Sequence, residues 1–166
     1  MHKAELTEYD LLNREVFRLA RLTERVHARH TARQTDGVER AAYLLLVTLV
    51  RGGPRRLSAL AEEVYSDAST VSRQVAQLVK LGLVERRPDP TDGRASTLAA
   101  TEAGERHFDH KRKLRNEAYT AMLADWSDDD RRRFRDLLAR FNDGFEGFFL
   151  DPAPTLVGGR TGGPAF

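Results

Sequence analysis

Between Ala68 and Val84 the chain carries no Asp or Glu, although 31% of its residues are charged. The same window holds Ser69, Thr70, Ser72, Arg73, Gln74, Gln77 and Lys80. Groups of these types suit a polyanion with readable edges. Phosphate attracts Arg and Lys and repels carboxylates. In the major groove of duplex DNA, Arg pairs bidentately with guanine and Gln with adenine. Ser and Thr at the start of a helix suit phosphate, because free backbone N–H groups point the same way. Taken alone, an ordinary solvated helix face that lacks acids would look the same.

Spacing and neighbours separate the two readings. Ala68, Val71, Val75 and Leu78 recur at i, i+3, i+7 and i+10, which predicts a helix with one buried stripe. Thr70, Arg73, Gln77 and Lys80 repeat that spacing on the opposite face, with Ser69 and Gln74 beside them. Ser66 or Asp67 caps this helix, which runs to about residue 81, and Gly82 ends it. A short helix precedes it, "ALAEEV", with Ser58 as the expected N-cap. "LVERR" (83–87) reads as a strand, "PDPTDG" (88–93) as a turn and "RASTLAAT" (94–101) as a returning strand. Helix, turn, recognition helix and a hairpin carrying Arg86, Arg87 and Arg94 make a winged helix-turn-helix over about 55–101.

The flanks are helical. Residues 5–33 place Leu12, Val16, Leu19 and Val26 on one stripe, with arginines around it as a solvated face. "VERAAYLLLVTLV" (38–50) is apolar on more than one face and reads as a buried central helix. "RGGPRR" (51–56) breaks the chain at Gly52, Gly53 and Pro54. A long helix is expected from Thr101 to Trp126, its polar first half largely exposed. Ser127 then caps a last helix over 127–150, with three aspartates in its first turn. In that helix Phe134, Leu138, Phe141, Phe145 and Phe148 step by 4, 3, 4 and 3, a heptad-like seam. It could serve a monomer's core. A second 4–3 stripe at the other end of the chain favours a shared dimer interface built from Leu12, Val16, Leu19 and the Phe seam. The Pro/Gly-rich segment 151–166 reads as a flexible tail.

Composition excludes several classes. The formal charge is only +2, so nucleic-acid affinity must come from local arrangement rather than a polycationic tail. Of 27 basic residues only Lys3, Lys80, Lys111 and Lys113 are Lys. Cysteine is absent, which removes disulfides and thiolate metal sites. No apolar run approaches the roughly 18 residues of a membrane span, so a cytoplasmic protein without membrane contact is expected.

The block 57–105, "LSALAEEV…STVSRQVAQLVKLGLVERRPDPTDGRASTLAATEAGE", resembles the MarR family of bacterial transcriptional regulators. The most specific part is the wing, Asp89-Pro90 with Asp92, Gly93 and Arg94, followed by Thr101-Glu102-Ala103-Gly104. Many members carry a second Arg where this chain has Gly93 and a Leu where it has Ala99. The resemblance implies a mainly α fold with a small β-hairpin wing and long N- and C-terminal dimerisation helices, in a single domain over 1–150. It implies that Arg94 enters the minor groove, steadied by Asp92. It also implies an obligate homodimer with intertwined first and last helices, on a palindromic operator in double-stranded DNA. A small-molecule effector would lie between the dimer helices and the DNA-binding lobe, with Tyr43, Trp126 and His27 as candidate lining residues.

The DNA-contacting set is therefore Ser69, Thr70, Ser72, Arg73, Gln74 and Gln77 on the helix and Arg86, Arg87, Asp92 and Arg94 on the wing. No metal, cofactor or catalytic residue is expected. His107 with His110, and His27 with His30, sit at i,i+3, but each pair needs two further ligands. "GGPRR" lacks the strand and the Lys-Ser/Thr of a phosphate loop. Two other classes stay open: an architectural DNA binder without sequence preference, and a small-molecule-binding helical protein or enzyme. The Gln- and Ser-containing face disfavours the first, since a surface aimed only at phosphate would hold more Lys and Arg.

Overall fold

A computed structural model of the protein describes residues 6–31, 37–89 and 91–150. The elements run α1 (Glu8–Thr31), α2 (Arg40–Gly52), α3 (Leu57–Glu63), α4 (Ala68–Lys80), β1 (Val84–Pro88), β2 (Ser96–Ala100), α5 (Glu102–Met122) and α6 (Asp128–Phe149). Among the described residues the fold is mainly α with one antiparallel hairpin. It forms two compact units, residues 1–112 and 113–166, with the boundary inside α5. The expected tail 151–166 and wing residue Pro90 lie outside the described residues.

In the first unit α2 supplies the centre of the core. Its Ala42, Leu45, Leu46 and Leu49 are buried with Leu60 and Ala61 of α3, Val71, Val75 and Leu78 of α4, and Leu98 of β2. The stripe predicted for α4 differs at one point: Ala68 opens the helix and is exposed. Gly52 belongs to α2, and the chain turns one residue later, where Gly53 adopts φ 77° and donates its N–H to the Leu49 carbonyl. The "GGPRR" segment does more than break a helix. Arg55 exchanges two backbone hydrogen bonds with Leu98 (3.0 and 2.7 Å), adding a third strand-like piece to the hairpin.

Local capping explains most of the boundaries. Asp67 is the N-cap of α4 and accepts from Thr70 N–H at 2.8 Å. At the other end Gly82 sits at φ 69°; its N–H reaches the Val79 carbonyl and that of Leu83 reaches Leu78, a Schellman ending. Ser58 does not cap α3. The N-cap is Arg56, without a side-chain capping bond, because the chain arrives extended from its pairing with β2. Ser127 caps α6, accepting from Asp130 N–H at 3.1 Å. Among the described residues no helix is long and apolar enough to cross a membrane.

The first half of α5 is the half that is anchored, contrary to its polar composition: Gly104 and Phe108 are buried. Thr101 makes the junction. Its Oγ1 donates to the Gly82 carbonyl (2.6 Å) and accepts from Gly104 N–H (3.1 Å), while its own N–H donates to Leu83 O (3.1 Å). The chain thus returns from the wing to the end of α4, and Gly104 lets α5 lie against the Leu83 carbonyl.

The α3–α4 turn holds a second Schellman ending, but its left-handed position is Tyr65, at φ 51°. Tyr65 N–H donates to Glu62 O and Ser66 N–H to Ala61 O. A side chain in this region is disfavoured by about 1–2 kcal/mol. The Tyr65 ring is exposed and recovers little of this through packing. Tyr65→Gly is therefore expected to raise the melting temperature by about 2–4 °C, the usual response of a chain this size to about 1 kcal/mol. A calorimetric scan checks this, and a lower midpoint would refute it.

Candidate nucleic-acid interface

Burial of Val71, Val75 and Leu78 turns the other side of α4 outward. Arg73 and Lys80 are exposed, and Thr70, Ser72, Gln74 and Gln77 are half-buried. Arg73, Lys80, Arg86 and Arg94 form no ion pair with any described acid. Two neighbouring elements of one unit thus present uncommitted cations.

The start of α4 is already occupied in part. Asp67 accepts from Ser69 Oγ (2.5 Å) as well as from Thr70 N–H. These bonds, that from Ser69 foremost, hold its carboxyl well below the usual carboxylate range. The Ser69 proton is therefore directed to Asp67 rather than outward. Arg73 lies over the first turn, its Nη2 donating to Thr70 Oγ1 at 3.3 Å. Gln77 is also engaged: its Nε2 donates to the Gly37 carbonyl at 2.6 Å, forty residues away. Thr70, Arg73, Gln74 and Gln77 line one shallow depression together with Glu39 of the α2 N-cap.

The wing is a short ribbon. Val84 pairs with Ala100, Arg86 with Leu98 and Pro88 with Ser96. Thr97, Leu98 and Ala99 are buried, Leu98 within the core cluster, and Arg86 and Arg87 are exposed. Arg87 is drawn to its neighbour Glu85 at 2.6 Å, which leaves Arg86 the freer cation of the two. Arg94 is exposed at the tip. Asp92 meets this position at the backbone, where its Oδ1 accepts from Arg94 N–H at 3.0 Å.

The residue that organises the tip is Asp89, which sequence reasoning quoted within the wing without assigning it a role. It is only 8% exposed. Its Oδ2 accepts from Arg56 Nε at 2.6 Å; its Oδ1 accepts from Thr91 N–H, Thr91 Oγ1 and Asp92 N–H at 2.8, 2.7 and 3.2 Å. Arg56, ahead of α3, was missed altogether. The local signal for the turn was available, since an Asp two residues before Thr favours an Asx turn. The partner from 33 residues upstream had no signal.

The Arg56 guanidinium, followed by Thr91, holds the Asp89 carboxyl far below its ordinary value. A carboxylate depressed in the folded state contributes stability above its unfolded pKa of about 3.9, and that contribution is lost as pH falls from there toward the folded value. Asp89→Asn keeps the shape but not the charge. It should be less stable than wild type at neutral pH, with the gap narrowing as pH drops below about 4. Thermal midpoints from about pH 7 down to about pH 2 check this; a constant gap would exclude Asp89 as the titrating group.

Among the described residues the apolar seam of α6 is left largely open to solvent. No residue of α6 is buried, and Phe134, Leu138, Phe141, Phe145 and Phe148 are all exposed. Phe145 lies 6.0 Å from Phe141 and 4.6 Å from Phe149, ring to ring, and Trp126 stands edge-on to Phe134 at 5.5 Å. On α1, Leu12 and Leu19 are exposed and Val16 is half-buried. Tyr43 stands edge-on to His107 at 6.1 Å, its hydroxyl buried without a hydrogen-bond partner among the described residues. Among the described residues no group of three or more His, Asp or Glu could hold a metal.

Comparison with known proteins agrees with this geometry. The MarR family model matches residues 36–95, which include α2 to the wing tip. The chain is 36% identical over 141 residues to YxaD of Bacillus subtilis (strain 168), an uncharacterized HTH-type transcriptional regulator, covering 85% of this chain and 94% of that one. A crystal structure of a probable transcriptional regulator from Pseudomonas aeruginosa is 30% identical, covers 75% of this chain and 94% of its own, and superposes with a TM-score of 0.57. A MarR family protein from Bacillus stearothermophilus shares the fold at a TM-score of 0.72, with 18% identity over 85% of this chain and 99% of that one. With the free cations of α4 and the wing on one lobe and a relative matched over nearly its whole length, the chain belongs to the MarR family and is a DNA-binding transcriptional regulator rather than an enzyme.

Proposed function

We propose that the protein acts in the cytoplasm as a homodimeric, ligand-responsive repressor that binds a palindromic operator. The observation that carries the DNA-facing part is the set Arg73, Lys80, Arg86 and Arg94, exposed on α4 and the wing and in no ion pair with a described acid. In this reading α4 enters the major groove, where Arg73 and Gln74 meet base edges, and Arg94 reaches the adjacent minor groove. Ser69, Thr70, Ser72 and Gln77 shape and flank that face; Arg86, Arg87 and Asp92 support the wing. The Phe seam of α6 and the stripe Leu12, Val16 and Leu19 join two copies, which sets two recognition helices about one turn of DNA apart. A small-molecule effector bound near Tyr43, His27 or Trp126 would act by population shift, favouring a dimer with the wrong helix separation.

Selection of duplexes from a random library by the purified chain tests the reading. The enriched site should be palindromic and preferred over random duplex by about a thousandfold or more. Its affinity should fall with salt at a log–log slope of about −0.9 per neutralised phosphate. On a library of single-base operator changes, Arg94→Ala weakens binding to most sequences by a similar factor, whereas Arg73→Ala relaxes preference at one position per half-site. Equal affinity for operator and random duplex at physiological salt would replace the operator reading with an architectural one.

A further inference from the structure

We propose that Glu39 is a specificity-determining residue, a carboxylate that tertiary structure adds to a DNA-reading face whose own sequence excludes acids. The inference rests on the operator-binding reading above and says how that surface rejects the wrong DNA. Residues 68–84 contain no Asp or Glu, yet Glu39 lines one depression of about 300 Å³ with Thr70, Arg73, Gln74 and Gln77. Glu39 is exposed, makes no side-chain capping bond at the start of α2, and is in no ion pair with a described residue. No hydrogen bond or ion pair to a described residue therefore commits its carboxylate, which is left beside the positive end of α2. Its position is nonetheless held. Two residues earlier the Gly37 carbonyl accepts Gln77 Nε2 at 2.6 Å, which ties the chain entering α2 to the recognition helix.

A carboxylate beside a groove-reading face has two effects of opposite sign. It accepts a hydrogen bond from an exocyclic amino group, as Asp and Glu do from cytosine N4. Where no such donor is offered, it meets only phosphates and acceptor edges and weakens binding. A correct site thus recovers what an arbitrary duplex does not, which is specificity obtained by penalising the competitor. One charge at contact distance in water-like surroundings changes affinity about fivefold. That change shrinks as salt screens it.

The experiment compares wild type, Glu39→Gln and Glu39→Asp, full length, by titration against the selected operator and a random duplex of equal length. The Glu39 side chain bonds to no described residue, so the variants should keep the fold, and circular dichroism checks that they do. Glu39→Gln is expected to bind random duplex about fivefold more tightly at low salt, with the gain fading as salt rises, and to bind the operator no better. The operator-to-random ratio thus falls about fivefold or more, and preference is lost at one position per half-site. Glu39→Asp keeps the charge one methylene further back; it should still discriminate against random duplex while losing that base preference. An unchanged ratio in Glu39→Gln, with wild type discriminating normally, overturns the role of Glu39 alone. Failure of wild type to bind either duplex overturns the operator reading beneath it.

Discussion

Phe145→Glu should sediment as a monomer at concentrations where wild type sediments as a dimer, and its operator affinity should fall at least about a hundredfold, the loss expected when a charge worth about 3 kcal/mol or more enters a desolvated interface. Phe145 is 47% exposed in the isolated chain, at the middle of an aromatic run joining Phe141 to Phe148 and Phe149. A run of half-exposed rings along one helix is the kind of contiguous apolar patch that marks an interaction surface. The neighbours of Phe145 along the seam, Phe141, Phe148 and Phe149, offer a carboxylate no hydrogen-bond donor. Phe145→Leu is the companion variant. It preserves apolar contact and should stay dimeric, so a shared loss in both would point to folding rather than assembly. An intact dimer in Phe145→Glu would remove this seam from the interface.

Gly104→Val should lower stability by about 3 kcal/mol, and the melting temperature by roughly 6–12 °C. The warrant is a distance. A Cβ on residue 104 would lie 2.1 Å from the Leu83 carbonyl oxygen and 3.1 Å from Leu46 Cδ1. The obstacle is backbone and cannot swing aside, because Leu83 O also accepts the Thr101 N–H. Either α5 or the start of β1 must move, and both hold the wing on the recognition unit. The contrast is Gly93 at the wing tip, where an added Cβ meets nothing within 4 Å. Gly93→Ala should change stability by less than about 0.5 kcal/mol. Chemical denaturation of both variants decides it: comparable losses would mean that residue 104 matters through helix propensity, not through close approach.

The sequence by itself determined the elements whose causes are local. The 3–4 spacing of Val71, Val75 and Leu78 needs only the helical period to show which side of α4 is buried. Asp67, Thr101 and Ser127 could be read as caps because a capping bond spans three residues, and Gly82 as a stop because only its own φ is at stake. The same range explains the wing turn. Only the tertiary structure decided what depends on partners far along the chain. Ser58 had the better capping chemistry, yet α3 starts at Leu57 because Arg55 is committed to Leu98. The first half of α5 is polar in composition yet docked, because Gly104 admits the Leu83 carbonyl at a distance no composition encodes. Arg56 reaches Asp89 across 33 residues, and Gln77, which by type should read a base, spends its amide on Gly37 across 40. Glu39 joins the acid-free face of α4 for the same reason. Side chains distant in sequence meet only once α2, α3 and α4 have packed around Leu45, Leu46 and Val75, and periodicity, being a property of one helix at a time, carries no record of what a neighbouring element will bring beside it.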